Sequence, residues 1–247
     1  MSAARTGWSS SIGVIGFIAA LVALLMVGGA GPAYRLELVD LRHAFSVLRW
    51  GAWTGLGAGF IALVGAWMTR PGARRRGFAL TLAGIVMGAV AFGVPFAMLQ
   101  SAKRSPPIHD ITTDTENPPR FVAIIPLRKG SPNPVEYQGG EVSQQQRTAY
   151  PDIQPVTIAR APDAAFKRAL DAARELGWQN VAAIADEGRI EATDTTIWFG
   201  FKDDIVVRIT PSGAGSRIDV RSVSRLGQGD LGKNAARIRA YQQRLQQ

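Results

Sequence analysis

The stretch Asp203-Asp204-Ile205-Val206-Val207-Arg208-Ile209, then Arg217-Ile218-Asp219-Val220-Arg221-Ser222-Val223-Ser224-Arg225, then Asp230-Leu231-Gly232-Lys233-Asn234-Ala235-Ala236-Arg237-Ile238, reads as two strands leading into a helix. Successive side chains on a strand point to opposite faces. Ile205, Val207 and Ile209 therefore share a face with Ile218 and Val220, and Arg208, Arg217, Asp219, Arg221 and Arg225 take the other. Pro211–Ser216 supplies the turn between the strands. Asp230 reads as a helix N-cap, with Leu231, Ala235, Ile238 and Leu245 as the buried stripe that follows.

Upstream, Trp178–Ala185 and Arg189–Phe199 flank the turn signal Asp186-Glu187-Gly188. Pro162 and Asp163 open a helix that Gly177 closes, and Ala165, Phe166, Ala169, Leu170, Ala173 and Leu176 form its apolar face. The order over residues 161–247 is α-β-β-β-β-α. That predicts an α+β domain: a four-stranded antiparallel meander with two helices on one face.

The charged row has two readings. One is a solvated face with cross-strand ion pairs such as Arg208 with Asp219, each contributing little if exposed. The other is an anion or partner face built from Arg208, Arg217, Asp219, Arg221 and Arg225 with Asp203 and Asp204, since guanidinium forks suit carboxylate and phosphate. Ser222 and Ser224 alternate onto the apolar face, and no G-x-S-x-G elbow accompanies them.

Residues 103–160 hold nine prolines, including Pro106-Pro107 and Pro118-Pro119, which excludes a long helix. The segment reads as an extended tether packing on the domain, with Lys129–Gln146 its most mobile part. Phe121–Ile125 and Val156–Ala159 are β-type runs suited to a sheet edge. Within it His109-Asp110-Ile111-Thr112-Thr113-Asp114 offers catalytic candidates in His109, Asp110 and Asp114: a general base, or with Asp203 and Asp204 a metal site. The plainer reading is a turn in which Asp110, Thr112 and Thr113 bond nearby backbone. No HExxH or paired-His spacing is present, so no metal or cofactor is expected.

The N-terminal part is a different polymer. Of 28 Lys+Arg and 19 Asp+Glu, 8 and 2 fall in residues 1–102, leaving +6 there and +3 in residues 103–247. The basicity is thus concentrated in the apolar part rather than on a folded basic face, which sets nucleic acid aside. The chain has no Cys, excluding disulfides and thiolate chemistry. Thr6–Tyr34, Trp50–Thr69 and Gly77–Ala102 are each uncharged over about the 20 residues a bilayer-spanning helix needs, and Trp8, Trp50, Trp53 and Trp67 lie near the ends of the first two. Residues 1–102 are expected to be a three-helix transmembrane region with the lipid bilayer as partner. A cleaved signal peptide is disfavoured for the first span because its apolar run exceeds about 7–15 residues. No span carries an ionisable residue in its interior, against ion or proton conduction. By number the basic residues tie, Arg5, Arg70 and Arg74-Arg75-Arg76 on one side against Arg35, Arg42, Arg49, Lys103 and Arg104 on the other. The concentration of the Arg70–Arg76 cluster favours that loop as cytoplasmic, so the C-terminal domain is expected outside, on a multi-pass inner (plasma) membrane protein. Gly51, Gly55 and Gly59 recur every fourth residue, a face for packing within the chain or for a membrane-protein partner or homo-oligomer.

The motifs Ile108–Asp114, Pro118-Pro119-Arg120-Phe121, Tyr150-Pro151-Asp152-Ile153, Trp198-Phe199-Gly200-Phe201-Lys202-Asp203-Asp204, Asp219–Arg225, Asp230-Leu231-Gly232 and Asn234 resemble the domain-of-unknown-function 1499 family over about residues 107–245. The resemblance implies a membrane-associated bacterial protein, with relatives in chloroplast-bearing organisms, and no established activity, substrate or cofactor. The expected function is a membrane-anchored extracytoplasmic binding or complex-assembly module, not an enzyme, that uses the Arg/Asp-rich sheet face. The alternative is a hydrolase or metal-dependent enzyme using His109 and nearby carboxylates.

Overall fold

The structure is a computed structural model that describes residues 4–72 and 77–247, with side chains from residue 11 onward. Arg5, Trp8 and the Ala73–Arg76 part of the basic loop lie outside the described side chains. The chain divides into two compact units, Met1–Gln100 and Ser101–Gln247.

The first unit consists of α1 (Ala4–Arg35), α2 (Leu41–Thr69) and most of α3 (Phe78–Arg104). Ser11–Arg35, Leu41–Thr69 and Phe78–Arg104 are each long and apolar enough to cross a membrane. Asp40 starts α2 by accepting from the His43 backbone N–H at 2.9 Å, so Arg42, His43 and Arg49 extend that helix beyond its uncharged part. Glycines set the helix spacing. A Cβ on Gly51 would come within 3.0 Å of Val27, and one on Gly55 within 2.7 Å of the Ala91 Cβ and 3.1 Å of the Gly88 carbonyl. These close approaches lie inside the chain, where missing side chains let backbones touch.

The second unit is built on a six-stranded antiparallel sheet: β1 (Asp110–Thr112), β2 (Val156–Ile158), β3 (Gln179–Ile184), β4 (Arg189–Thr195), β5 (Lys202–Ser212) and β6 (Gly215–Ser224). The order is β1-β6-β5-β4-β3, with β2 also paired to β6. The expected meander is present as β3 to β6, but four strands is a correction to six. β1 and β2 add to the outer edge of β6 at Arg221–Val223 and Ser216–Ile218. Their length explains the miss: three residues carry no readable alternation, and an otherwise open β6 edge recruits them. Phe121–Ile125, expected as β-structure, instead leads into a 3-10 turn at Ile125–Arg128. The stretch expected to be most mobile ends inside α4 (Gly140–Ala149). Buried Gln146 on α4 pairs the free edge of β1, accepting from Thr112 N at 3.0 Å and donating to Thr112 O at 2.6 Å.

The alternation inferred for β5 and β6 is observed. Val207 faces Val220 and Ile209 faces Ile218, and with Ile190, Ala192 and Ile205 they form the core beneath α5 (Pro162–Glu175) and α6 (Lys233–Leu245). α5 starts at Pro162, and Gly177 follows it at φ +74°. Trp178 and Tyr241 stack at 4.9 Å, and the buried Tyr241 hydroxyl, its pKa pushed up by burial, donates to Ala169 O at 2.9 Å. α6 begins at Lys233 rather than at Asp230, yet Asp230 still caps it, accepting from Gly232 N at 2.8 Å and Asn234 N at 2.6 Å. Burial raises the Asp230 carboxyl above its ordinary value against these two backbone bonds.

Candidate functional site

The face opposite the helices carries the charged row, and residues 114–135 cover it. The reading of this face as a solvated ladder is therefore corrected: Asp204 is 0% exposed, Asp219 1% and Arg221 2%. A buried charge must be paired and hydrogen-bonded. Here Arg128 and Asp114 of the cover pair with Asp204, Arg208 and Arg217 of the sheet, and other pairs, such as Arg221 with Asp110, lie within the sheet beneath it.

The cover is pinned first by Glu191. This residue sits between core-facing Ile190 and Ala192, so alternation sends its side chain to the charged face. Its fully buried carboxylate accepts the backbone N–H groups of Val122 and Ala123 on Oε1 at 2.9 and 3.0 Å, and that of Ile124 on Oε2 at 2.9 Å. Arg189 supplies its counter-charge. Phe121–Ile124 does not join a strand because this one carboxylate takes its amides. Phe121 and Ile124 then pack on Val206 and Val223 in a small second core.

Three ion clusters complete the fastening. Arg221 grips Asp110 through both carboxylate oxygens at 2.9 and 2.7 Å, donates to Pro119 O and Val135 O, and lies 5.3 Å from the Phe121 ring and 5.4 Å from that of Tyr137. Asp204 receives Arg225 at 2.8 Å on each oxygen, Thr193 Oγ1 at 2.7 Å and Arg128 at 2.6 Å. Burial alone would raise the Asp204 carboxyl, but hydrogen bonds from Arg225, Thr193 and Arg128 outweigh it and hold it below its ordinary value. At the more open end, Arg208 and Arg217 both bind Asp219 and Asp114, with 2.9 Å for Arg208 to Asp219 and 2.8 Å for Arg217 to Asp114.

The proposed site residues thus divide. Asp110, Asp114, Asp204, Arg208, Arg217, Asp219, Arg221 and Arg225 meet on one face. Asp203 does not: one residue from Asp204, it points to the helix side and pairs with Arg237 at 2.7 Å. Arg237 also binds Asp194, Asn234 and Ser222, and Asn234 holds Ser224 Oγ and the His109 carbonyl. Ser222 and Ser224 therefore serve a structural network. The His109 ring hydrogen-bonds with Gln228 O at 3.4 Å and lines a cavity of about 280 Å³ with Asp110, Asn133, Gln138 and Val142. The carboxylates nearest to it in sequence are committed elsewhere, Asp110 to Arg221 and Asp114 to Arg208 and Arg217. Of the local backbone bonds expected of Asp110, Thr112 and Thr113, those of Thr112 form, its Oγ1 accepting from Asp114 N and donating to Asp114 O, and Asp114 extends the turn by accepting from Glu116 N and Asn117 N on Oδ1. Among the described residues no three His, Cys, Asp or Glu side chains gather as metal ligands.

Sequence reasoning missed Glu191, Arg128 and Arg237. Alternation was sufficient to find Glu191, and Arg237, three residues after Asn234, falls on the same helix face. Arg128 had no signal, lying in an irregular segment.

The cover also has an outward side. Val122, Ile125 and Leu127 are each about half exposed, and a cleft of about 410 Å³ runs among Ile125, Pro126, Arg128, Lys129, Ser131, Asn133, Pro134 and Val135.

In comparison with known proteins, a family described as protein of unknown function (DUF1499) matches residues 110–245. No curated protein and no solved structure matches the chain.

Proposed function

Because the chain belongs to the DUF1499 family, whose description assigns no activity, we propose a reading from geometry alone: a membrane-anchored, extracytoplasmic recognition or assembly module that is not an enzyme. Its partner surface is the outward side of the 114–135 cover rather than the charged row beneath it. The observation that carries this is the division of the cover itself. Asp114 and Arg128 turn inward to paired charges on the sheet, whereas Val122, Ile125 and Leu127 are exposed on the outward side and Ile125 lines the cleft. Exposed apolar side chains gathered at a concavity with a polar rim are the usual mark of a contact surface. The fitting partner is an apolar segment bearing a carboxylate, since Arg128 and Arg225 share the single Asp204 and Lys129 stands at the cleft.

Because the chain lacks Cys, Ser131→Cys carries a single crosslinker at the cleft of the full-length protein in native membranes. A discrete adduct that Ile125→Asp removes without lowering the melting temperature supports the reading. An adduct pattern indifferent to Ile125→Asp sinks it. The extracytoplasmic placement is tested separately by a reporter fused after Gln247, and cytoplasmic reporter activity would reverse it.

The competing enzyme reading rests on the cavity shared by His109 and Asp110. It requires Asp110 to leave Arg221, and a His109→Gln variant that abolished a measured turnover at unchanged stability would favour it.

A further inference from the structure

The antiparallel register gathers the end of β4, the start of β5, the end of β6 and the start of β1 at one end of the sheet. The chain enters the domain at this same end. The last turn of α3, Ser101–Arg104, begins the second unit, and Ser101 Oγ donates to Leu231 O in the loop before α6 at 3.2 Å. Residues 105–109 then lead directly into β1, a connection that covers about 20 Å at full extension.

At this end β4 and β5 are joined by Thr196-Ile197-Trp198-Phe199-Gly200-Phe201. The loop is well built: Thr196 N donates to Phe201 O at 2.9 Å, Gly200 N to Thr196 O at 3.0 Å, and Phe201 N to Thr196 Oγ1 at 2.9 Å. Phe199 is buried and stacks on Phe201 at 5.3 Å, while Trp198 meets it edge-on at 5.2 Å. That aromatic base turns Ile197 outward, where it is 91% exposed, above every other large apolar side chain described, those of the three apolar helices included. A loop tip would ordinarily take Gly, Asn, Asp or Ser. Exposed cations share this end: Lys103 and Arg104 before β1, Lys202 opening β5 and Lys233 opening α6. The carboxylates here are turned inward, Asp194 and Asp203 to Arg237 and Asp230 to backbone N–H groups.

We propose that the Thr196–Phe201 loop is a lipid-docking tip: Ile197 and the edge of the Trp198 indole enter the interfacial zone of an anionic leaflet, with Lys103, Arg104, Lys202 and Lys233 over its headgroups. Indole rings prefer that zone, and each basic residue near an anionic surface strengthens association about fivefold. The occupant follows from continuity and charge, because the connection arriving at this end comes from a helix apolar enough to span a bilayer, and the cations around the tip match acidic lipid. The tip is distinct from the cleft on the cover, so either surface can fail its test alone.

Ile197→Cys in the otherwise Cys-free full-length chain accepts one polarity-sensitive fluorophore. In nanodiscs containing phosphatidylglycerol, its emission should shift to the blue, resist aqueous iodide and be quenched by nitroxide-bearing lipid. Lys202→Glu with Lys233→Glu should restore iodide access several-fold. A label at Ile184→Cys, at the opposite end of the sheet, should remain aqueous throughout. Iodide quenching at position 197 without lipid quenching would overturn the proposal. So would protection from iodide without lipid quenching, which would mean that protein rather than lipid covers the tip.

Discussion

The two faces of the domain's sheet are covered by different chemistry. On one, α5 and α6 bury Ile190, Ile205, Val207, Ile218 and Val220 under regular amphipathic helices. On the other, an irregular proline-rich segment brings little more than Phe121 and Ile124 to the contact, and is held by Glu191, Asp204, Asp110 and their arginines. The difference shows what each material specifies. Apolar burial is non-directional and tolerates sliding of a regular element, so helices suffice. A segment without a repeating structure is instead fixed in register by bonds that fit at one place, such as one carboxylate taking three consecutive amides. A buried ion pair is poor evidence of net stabilisation, but removing one partner leaves an uncompensated charge. The charged face should therefore break sharply and the helix face gradually.

The sharpest break is expected at Arg221, 2% exposed and bidentate to Asp110. Arg221→Ala should lower the unfolding free energy of the full-length protein by about 3–5 kcal/mol, as removal of one buried partner does. Arg221→Met with Asp110→Leu should recover a large part of that loss, because both replacements enter surroundings that already include Phe121 and Val223. Denaturant melts of the two singles and the double form the cycle. If the double is as unstable as the singles added together, the two groups are not coupled and the contrast between the faces is wrong.

Acid should loosen the same face first. The folded Asp204 carboxyl lies below its ordinary value of 3.8, so its contribution is complete above that pH and is lost as pH falls through the lower folded value. Asp230 has the opposite sign: burial raises it, and folding gains as pH falls through its raised value toward 3.8. Stability measured against pH should thus drop below 3.8 in the wild type. Asp204→Asn should flatten that drop at a lower overall stability, and Asp230→Asn should leave it in place. A drop that survives Asp204→Asn would assign it to other carboxylates.

These contrasts bear on what the residues disclose in sequence. Periodicity found α5, the meander and the division of β5 and β6 into apolar and charged sides, because alternation is a local property. It could not say whether the charged side meets water. Arg208, Asp219 and Arg221 read the same under solvent or under a cover whose residues lie about a hundred positions upstream, and nothing local to Arg128 announces Asp204 as its partner. Asp203 and Asp204 show the limit from the other side: they look like one acidic motif, yet strand parity sends them to opposite faces and to different arginines.

On the helix face the expected response is shallower. Ile190 is 1% exposed beneath α5 and α6, and Ile190→Val removes one methylene, an effect of about 0.5–1.5 kcal/mol. Calorimetry should show one cooperative transition at slightly lower temperature, insensitive to salt. A loss matching that of Arg221→Ala would mean that the apolar face is the more exacting of the two.

The smallest effect is expected within the charged row, at Arg217. This side chain is 40% exposed, and both its acidic partners keep a second cation: Asp219 retains Arg208 at 2.9 Å and Asp114 retains it at 3.3 Å. Water also reaches the guanidinium, so little desolvation has been spent on it and salt can screen it. Arg217→Ala should cost less than about 1 kcal/mol, and the difference from wild type should shrink further as salt is raised from 0.05 to about 0.5 M, where the screening length falls below 5 Å. Arg221→Ala, buried four residues along the same face of the same strand, should show almost no such salt dependence. If Arg217 and Arg221 instead respond alike in size and in salt, the row acts as one delocalised network, and burial is not what grades it.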